Sequence, residues 1–523
     1  MPAHWLYAAT RNPAFLWKSA LLILAHSFLF AFLIQLVGGA WAPAHQRFQL
    51  AHLEQAPDAT RIGAKVIASG TLPEALDVIM TLSQSRSRSS GPVEVNTAFV
   101  EGCIKQRPSD EQKILRAAAQ SSLSSNGIVD TPLAELAENE PDLPGAAFAA
   151  GILATHFVDL DEAEKWFARE QSPQYGSLAR QSELEVVAKR GHTERLQELL
   201  QNPEYYRLAP IGVRMDLDYD QGRWVALFIS SLQSTWYERS WQAWFITLLA
   251  AAVWTAIVLR LANVGTWRDN RLISAAAAFL LGVLSAVFTL MALIWQERAF
   301  GIVEDGTFIN GVIYYIAGVA AREECLKLLC VAPLLWFLRG DPDDRRVLMV
   351  GAMSGLGFAA AENLNYVDAN TVGTAFSRFM TANFLHLALT ALAAQGLVTW
   401  LRHPTRGFDH FLFRLTAVIL LHGVYNLFLT QTALAEYTIL SLTTLGGIGL
   451  WYFHQVRLER RNQHMTISLH ALFVWGMVGL IGIGYVLGSW DFGLYLAFQI
   501  MLQSFLGSGL LMFIFFREFD QVG

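Results

Sequence analysis

The sequence predicts an all-α, polytopic membrane protein, with about ten transmembrane helices and one extracytoplasmic helical domain after the first of them. Of its 523 residues, 53% are apolar and only 16% are charged, which is too apolar for a soluble protein of this length. The apolar residues are concentrated in 241–516, whereas 43–240 has the composition of a soluble domain. A net charge of −6 without any basic tract indicates no nucleic-acid partner, and three cysteines predict no disulfide framework.

The first apolar run extends from about Ser19 to Val37 and follows two basic residues, Arg11 and Lys18. Residues 40–42, Ala-Trp-Ala, resemble a signal-peptide cleavage site. The run is longer than the apolar core of a usual signal peptide, and Pro43 would directly follow the cut. We therefore predict that residues 1–42 form an uncleaved transmembrane anchor.

Residues 43–240 are predicted to form a stack of short helices. Gly151, Ala163 and Phe167 have the spacing of the small and aromatic positions in a tetratricopeptide repeat, and the same spacing recurs at Gly63, Ala75 and Ile79. An irregular helical domain is the alternative. In either case the segment offers a surface for a protein partner rather than a site for chemistry.

Two local signals divide this domain. The sequence Gly-His-Thr at 191–193 predicts a break and an N-cap before a helix over Glu194–Gln201. The run of serine and arginine over Ser83–Gly91 predicts a flexible loop.

Nine further apolar segments follow the soluble domain. They span 241–262, 272–295, 310–338, 346–367, 375–401, 410–431, 435–454, 468–489 and 492–516. We divide this part of the chain into a core over 241–455 and additional C-terminal transmembrane helices over 456–523.

The loops between these segments alternate in charge, which predicts the orientation of the chain. One set of loops is basic and contains Arg260, Arg268, Arg271, Arg339, Arg345, Arg346, Arg402, Arg406, Arg414, Arg457, Arg460 and Arg461. The other set contains Glu297, Arg298, Glu304, Asp305, Asp368, Glu436 and Asp491. The positive-inside rule places both termini in the cytoplasm and 43–240 outside. We expect the plasma membrane of a bacterium.

The sequence Arg-Glu-Glu-Cys-Leu-Lys at 322–327 lies in the middle of the apolar run from Gly311 to Leu338. Each charge at membrane depth costs roughly 2.5–3.5 kcal/mol on insertion scales, so four charges within six residues need a reason. Helical geometry places Glu323 and Lys327 on one face, with Glu324 about 60° away from Lys327. Because Lys327 can fully neutralise only one carboxylate, the other is left to be protonated, to meet another helix or to act as a base.

Three other segments carry polar residues inside their apolar runs. The 346–367 segment contains Phe358, Glu362, Asn363, Asn365 and Tyr366; the 375–401 segment contains Asn383, His386 and Thr390; and the 410–431 segment contains His422 and Asn426. With the predicted topology, the carboxylates and imidazoles lie within roughly 12 Å of one another in depth, in the outer half of the bilayer. Single residues of this kind often only join helices, but a structural network does not need so many groups able to transfer protons.

Two chemistries fit this constellation. In the first, a glutamate acts as general base on a water molecule while histidine or asparagine stabilises the oxyanion. In the second, glutamate and histidine bind Zn²⁺, which activates the water. Because the His-Glu-x-x-His helix of zinc proteases is absent, such a site has to be assembled from several helices.

The ordered motifs over about residues 245–455 resemble those of the PrsW family of intramembrane proteases. The motif residues are Glu323, Glu324, Lys327, Phe358, Glu362, Asn363, His386, His422 and Asn426. The resemblance implies a membrane-embedded endopeptidase that cleaves membrane-anchored proteins, with all of these residues except Phe358 in the catalytic site. The family has been classed both as metallo-type and as glutamic-type. The cofactor is therefore either none or Zn²⁺, with Glu324, Glu362, His386 and His422 as candidate ligands.

We predict an intramembrane endopeptidase, with the 43–240 domain selecting or gating substrates. A proton- or ion-coupled transporter is the first alternative, since buried glutamate and histidine also build proton relays. Inverted repeats would support a transporter, and the sequence shows no clear internal repeat. A non-catalytic membrane receptor or scaffold is the second alternative, and the presence of every motif residue argues against it.

Overall fold

The computed structural model describes residues 8–38, 59–84, 97–122, 131–237, 239–264, 268–369, 371–459 and 467–522. Every regular element in these ranges is helical, as predicted. The chain forms two compact units. The first consists of Met1–Gly39 with Arg223–Gly523, and the second is Ala40–Gly222.

We number the helices in chain order. After α1 (Pro13–Gly38), the second unit contains α2 (Ala59–Ser69), α3 (Leu72–Gln84), α4 (Thr97–Ile104), α5 (Ser109–Ser121), α6 (Pro132–Asn139), α7 (Ala146–His156), α8 (Leu160–Arg169), α9 (Gly176–Lys189), α10 (Thr193–Leu200), α11 (Pro203–Leu208) and α12 (Ile211–Asp220). The predicted break at 191–193 is present, and α10 begins one residue earlier than expected. The predicted loop at 83–91 lies mostly outside the described residues.

Small residues allow the helices of the second unit to pack closely. A Cβ at Gly151 would lie 2.5 Å from the Phe167 ring, so α7 and α8 touch at this point. Ala163 is completely buried nearby, as are Ala75 and Ile79 at the corresponding positions of α3. These contacts agree with the spacing that predicted a tetratricopeptide-like array, and that assignment stays a prediction.

The first unit continues after Gly222 with thirteen more α-helices. They are α13 (Trp224–Trp236), α14 (Trp241–Leu261), α15 (Arg271–Phe300), α16 (Phe308–Ile313), α17 (Ala321–Phe337), α18 (Asp344–Ala369), α19 (Thr371–Met380), α20 (Ala382–Arg402), α21 (Phe408–Thr430), α22 (Ile439–Leu458), α23 (Leu469–Phe492), α24 (Leu494–Gly507) and α25 (Gly509–Val522). A π-helical segment, Tyr314–Ala320, joins α16 to α17.

Seven of the described helices are long and apolar enough to cross a membrane, and the pair α24–α25 makes eight if it is one bent span. We predicted about ten. The predicted span 310–338 is divided by the π-helical segment, and the α-helix that remains, α17, has 17 residues and four charges. The predicted span 435–454 becomes α22, whose last turns contain His454, Gln455 and Arg457.

Two predicted spans are also less regular than expected. The last one, 492–516, bends by 53° between Gly507 and Gly509, where a serine lies between two glycines, a combination that favours kinks. The span predicted over 375–401 is present as the candidate span Thr374–Arg402, with a local break at Thr381, where α19 ends and α20 begins.

Helix α18 lies at the centre of the first unit and packs against α14, α15 and α20. Glycines make this packing close. A Cβ at Gly355 would lie 2.1 Å from the carbonyl oxygen of His386, and one at Gly282 would lie 1.9 Å from that of Ser354. The close approach of α18 to α20 brings Glu362 of the first helix to His386 of the second.

Helix α1 packs along α23 and is joined to it by polar contacts. The indole Nε1 of Trp475 donates to the hydroxyl of Ser19 over 2.8 Å, and the hydroxyl of Ser468 donates to the carbonyl oxygen of Thr10 over 2.5 Å. The predicted anchor is therefore packed against one of the additional C-terminal helices.

Candidate active site

The charged motif lies in the first two turns of α17, directly after the π-helical segment. Its three central residues are buried: Glu323 is 8% exposed, Glu324 1% and Lys327 0%. π-Helical turns occur mostly as single insertions near functional sites. Helix α17 thus carries three ionisable groups into the interior of the first unit.

Lys327 pairs with Glu324 and not with Glu323. Its Nζ lies 2.5 Å from Oε1 of Glu324 and 2.9 Å from Nδ1 of His386. It also lies 4.5 Å from the centre of the Phe358 ring. An ammonium group only donates, so Nδ1 of His386 accepts and the proton of this imidazole is on Nε2.

The two imidazoles are each oriented by a carboxylate. Nε2 of His386 donates to Oε2 of Glu362 over 2.9 Å, and Nδ1 of His422 donates to Oε1 of Glu324 over 2.8 Å. The two rings lie edge to face with centres 5.2 Å apart. With its proton on Nδ1, His422 has a free lone pair on Nε2.

Glu323 faces this lone pair. Its Oε2 lies 3.8 Å from Nε2 of His422 and is buried, without a hydrogen-bond partner among the described residues. One donor atom each from Glu323, His386 and His422 lie within 4.8 Å of one another. Two histidines and one glutamate are the protein ligands of several catalytic zinc sites, and an unpaired buried carboxylate oxygen is costly without such a partner.

The donor set therefore fits a divalent metal ion, with one condition. Both nitrogens of His386 already have hydrogen-bond partners, Lys327 and Glu362. To bind an ion, His386 has to release one of these partners. Of the metal ligands that we predicted, His386 and His422 belong to this group, whereas Glu324 and Glu362 do not. The third member of the group is Glu323, which we did not predict as a ligand.

Asn363 and Asn426 differ in their relation to the cluster. Nδ2 of Asn363 donates to Oδ1 of Asn383 over 2.5 Å, which joins α18 to the start of α20. Asn426 lies one turn after His422 and is half-buried, and among the described residues its side chain has no hydrogen bond to the cluster. Asn363 thus fixes the helices around the site, whereas Asn426 is available to a ligand.

The other residues that the sequence singled out differ in their contacts. The hydroxyl of Thr390 is buried and has no hydrogen-bond partner in the described part of the chain, and Asn365 accepts a hydrogen bond from Arg239. Phe358 packs against His386, with ring centres 5.0 Å apart. Tyr366 is half-exposed and stacks on a guanidinium group.

Sequence reasoning missed the residue that carries this guanidinium group, Arg378. Its Nη2 lies 2.9 Å from Oε2 of Glu362, and its Nε donates to Oδ1 of Asn363. The signal was present, because an arginine inside an apolar segment is as costly as the charges of α17. Arg378 is the fourth residue of the predicted segment 375–401.

Comparison with known proteins identifies this part of the chain. Residues 270–452 match the family model described as PrsW family intramembrane metalloprotease. No curated protein and no solved structure matches the chain. The matched range includes every residue of the cluster and confirms the resemblance that the ordered motifs indicated. Residues 270–452 are therefore similar to PrsW family intramembrane metalloproteases, and the match covers about a third of the chain.

Proposed function

We propose that the protein is an intramembrane endopeptidase that cleaves membrane-anchored proteins and holds a divalent metal ion, Zn²⁺, between Glu323, His386 and His422. The observation that carries this proposal is the buried group of three donor atoms within 4.8 Å, located inside the family-matched region. A structural network has no need of an unpaired carboxylate beside a free imidazole lone pair.

A bound Zn²⁺ would polarise the scissile carbonyl and make a water molecule acidic enough to attack it at neutral pH. The protein residues behind the ligands keep them ready for this role. Glu324 holds the proton of His422 on Nδ1, and Lys327 balances the charge of Glu324. Such outer partners fix the tautomer and orientation of ligand histidines.

Glu362 is the carboxylate that we assign to proton transfer. Its side chain is 24% exposed, against 10% for Glu323 and 0% for Glu324, so it lies at the open edge of the cluster. From there it can take a proton from the attacking water and return it to the leaving amine. Asn426, one turn from His422, is positioned to hold the substrate carbonyl.

The substrate is proposed to be a membrane-anchored protein whose extracytoplasmic part contacts the Ala40–Gly222 unit. This unit has its own apolar core and several helical hairpins. Stacks of helical hairpins commonly present extended surfaces for protein recognition. We propose that it selects substrates, while the first unit cuts them.

The test compares the wild-type protein with Glu323→Gln and with a control, Glu436→Gln, which changes an exposed glutamate in the 3₁₀ helix Thr432–Tyr437. Membranes from cells that produce each form are searched by mass spectrometry for new protein N-termini, and single-pass proteins found this way are reconstituted with the purified enzyme in vesicles. We expect products with the wild type and the control only. If Glu323→Gln and His422→Ala both keep wild-type turnover on a verified substrate, the proposal is wrong.

A further inference from the structure

Arg378 has no role in the chemistry proposed above, although it lies beside the cluster. Its side chain is only 16% exposed. A charge at this depth is costly unless its partners compensate it. Arg378 has three such partners, Glu362, Asn363 and Tyr366.

All three partners lie on one face of the last turns of α18. Nη2 of Arg378 is 2.9 Å from Oε2 of Glu362, and Nε donates to Oδ1 of Asn363. The guanidinium carbon lies 3.9 Å above the ring centre of Tyr366, one turn after Glu362. A planar guanidinium group can hold several partners in a fixed arrangement, which lysine cannot do.

The carboxylate oxygen that meets Arg378 is also the one that meets His386. Oε2 of Glu362 lies 2.9 Å from both Nη2 of Arg378 and Nε2 of His386. The contact with Arg378 has the distance of an ion pair without the alignment of a hydrogen bond, since Nη2 has no hydrogen-bond partner within the ranges that the structure describes. Arg378 thus holds in place the oxygen that orients His386.

The helix that carries Arg378 is itself firmly placed. At the end of α19, the indole Nε1 of Trp254 donates to the carbonyl oxygen of Phe379 over 2.8 Å. The Phe379 ring packs against Trp254 and Phe473, with centres 5.6 and 6.3 Å apart. The short helix that carries Arg378 is therefore held beside α18 by contacts with Trp254 and Phe473.

We propose that Arg378 is a positioning residue, which acts through Glu362 to fix the orientation of His386 and of the carboxylate that transfers protons. This inference rests on the proposed function. Outer partners of this type typically contribute about 10–100-fold to activity. Because Arg378 acts on the reacting groups and not on substrate binding, its loss should lower kcat and leave KM unchanged.

The experiment uses the full chain in vesicles with a verified substrate and five variants: Arg378→Gln, Arg378→Lys, Glu362→Gln, the double variant Glu362→Gln/Arg378→Gln, and Arg239→Gln. The last is the matched control, because Arg239 contacts the same helix at Asn365 and lies outside the cluster. We expect kcat to fall about 10–100-fold for Arg378→Gln and less for Arg378→Lys. KM should stay within about twofold, and the control should match the wild type.

The double variant decides whether Arg378 works through Glu362. If it does, the double variant is no slower than Glu362→Gln alone, since coupled residues are not additive. If the fold-loss of kcat in the double variant equals the product of the fold-losses in the two single variants, the inference is wrong. A wild-type kcat for Arg378→Gln would also overturn it. If Arg378→Gln cannot be purified as a folded protein, the same comparison is made with Arg378→Lys.

A second measurement separates failure of this inference from failure of the proposed function. A membrane-soluble carbodiimide reacts with carboxyl groups in their protonated form, which a neighbouring cation disfavours, and mass spectrometry reports the labelling of Glu362. We expect faster labelling in Arg378→Gln than in the wild type and Arg239→Gln, whether or not the protein cleaves any substrate tested. Equal rates in all three would show that Arg378 does not control Glu362.

Discussion

Nδ1 of His422 lies 2.8 Å from Oε1 of Glu324, and this contact divides the two adjacent glutamates into different tasks. The hydrogen bond turns Nε2 of His422 toward Glu323, the neighbour of Glu324 in the chain. One glutamate thus orients the imidazole while the other faces its free nitrogen.

Replacement of either glutamate should abolish cleavage, but only one replacement should destabilise the protein. Glu323→Gln keeps the shape of the side chain and removes a proposed metal ligand, so we expect cleavage to be lost while the melting temperature of the metal-free protein stays unchanged. Glu324→Gln leaves Lys327 buried without its counter-charge, which typically costs about 3–5 kcal/mol. Turnover and thermal unfolding of both variants test this. Equal melting temperatures for the two would contradict the division of tasks.

Removal of both members of the buried ion pair should be less harmful than removal of one. Lys327→Met leaves Glu324 as an uncompensated charge, whereas Glu324→Gln/Lys327→Met leaves no buried charge at this point. We expect the double variant to regain much of the stability lost in Lys327→Met and to remain inactive, because His422 and His386 have both lost a charged partner. If the double variant loses as much stability as the sum of the losses in Glu324→Gln and Lys327→Met, the two residues are not a pair.

One Zn²⁺ per chain should copurify with the active protein. Metal analysis should show a clear loss of zinc in His422→Ala and His386→Ala, and no loss in His454→Ala, which changes an exposed histidine. A chelator should remove activity, and added Zn²⁺ should restore it. A fully active protein that lacks metal and ignores chelators would show that a glutamate activates the water.

Glu362→Gln should reduce kcat by about 10²–10⁴-fold, as expected for a residue that transfers protons. Because Glu362 is not one of the three grouped donors, the variant should still bind zinc. The measurement is kcat together with metal content. A parallel loss of zinc would identify Glu362 as a ligand and not as the proton-transfer group.

The Ala40–Gly222 unit should become less stable in mild acid. Burial lowers the pKa of His156 below its ordinary value near 6.5, and the nearby Asp77 opposes the shift only in part. As the pH falls through 6.5, the unfolded chain takes up a proton before the folded one, so stability is present above 6.5 and is lost below it. Asp77, whose own pKa is raised by burial, acts in the opposite direction at lower pH.

Hydrogen exchange of α3 and α7 in the intact protein measures this effect. After correction for intrinsic rates, we expect faster exchange at pH 5.5 than at pH 7.5 in the wild type. His156→Gln should remove the difference, while His192→Gln, which changes an exposed histidine, should keep it. The same pH dependence in His156→Gln would assign it to another group.

Both termini should lie in the cytoplasm and the Ala40–Gly222 unit outside. The alternation of basic and acidic loops predicts this orientation. Reporters that are active on only one side of the membrane, fused at Gly523 or inserted after Gly222, give the measurement. A C-terminal reporter active only outside the cytoplasm would reverse the predicted topology.

The sequence by itself determined the helical class, the division into apolar and soluble parts, and the set of residues that form the cluster. Apolar runs, charge alternation and the costs of charge in a membrane are local properties, so a single chain reveals them. The count of spans was less secure. A π-helical segment at 314–320 and a bend near Ser508 depend on how neighbouring helices pack, and the apolar pattern does not record either of them.

Only the tertiary structure decided which residues of the cluster meet. The helical period places Glu323 and Glu324 within reach of Lys327 at spacings of four and three residues, with nearly equal local preference. His422, which comes from another helix, engages Glu324 and thereby leaves Glu323 unpaired. Likewise, the packing of α19 alone brings Arg378 to Glu362. Spacing along one helix fixes the direction of a side chain, but its partner is fixed by the helices packed around it.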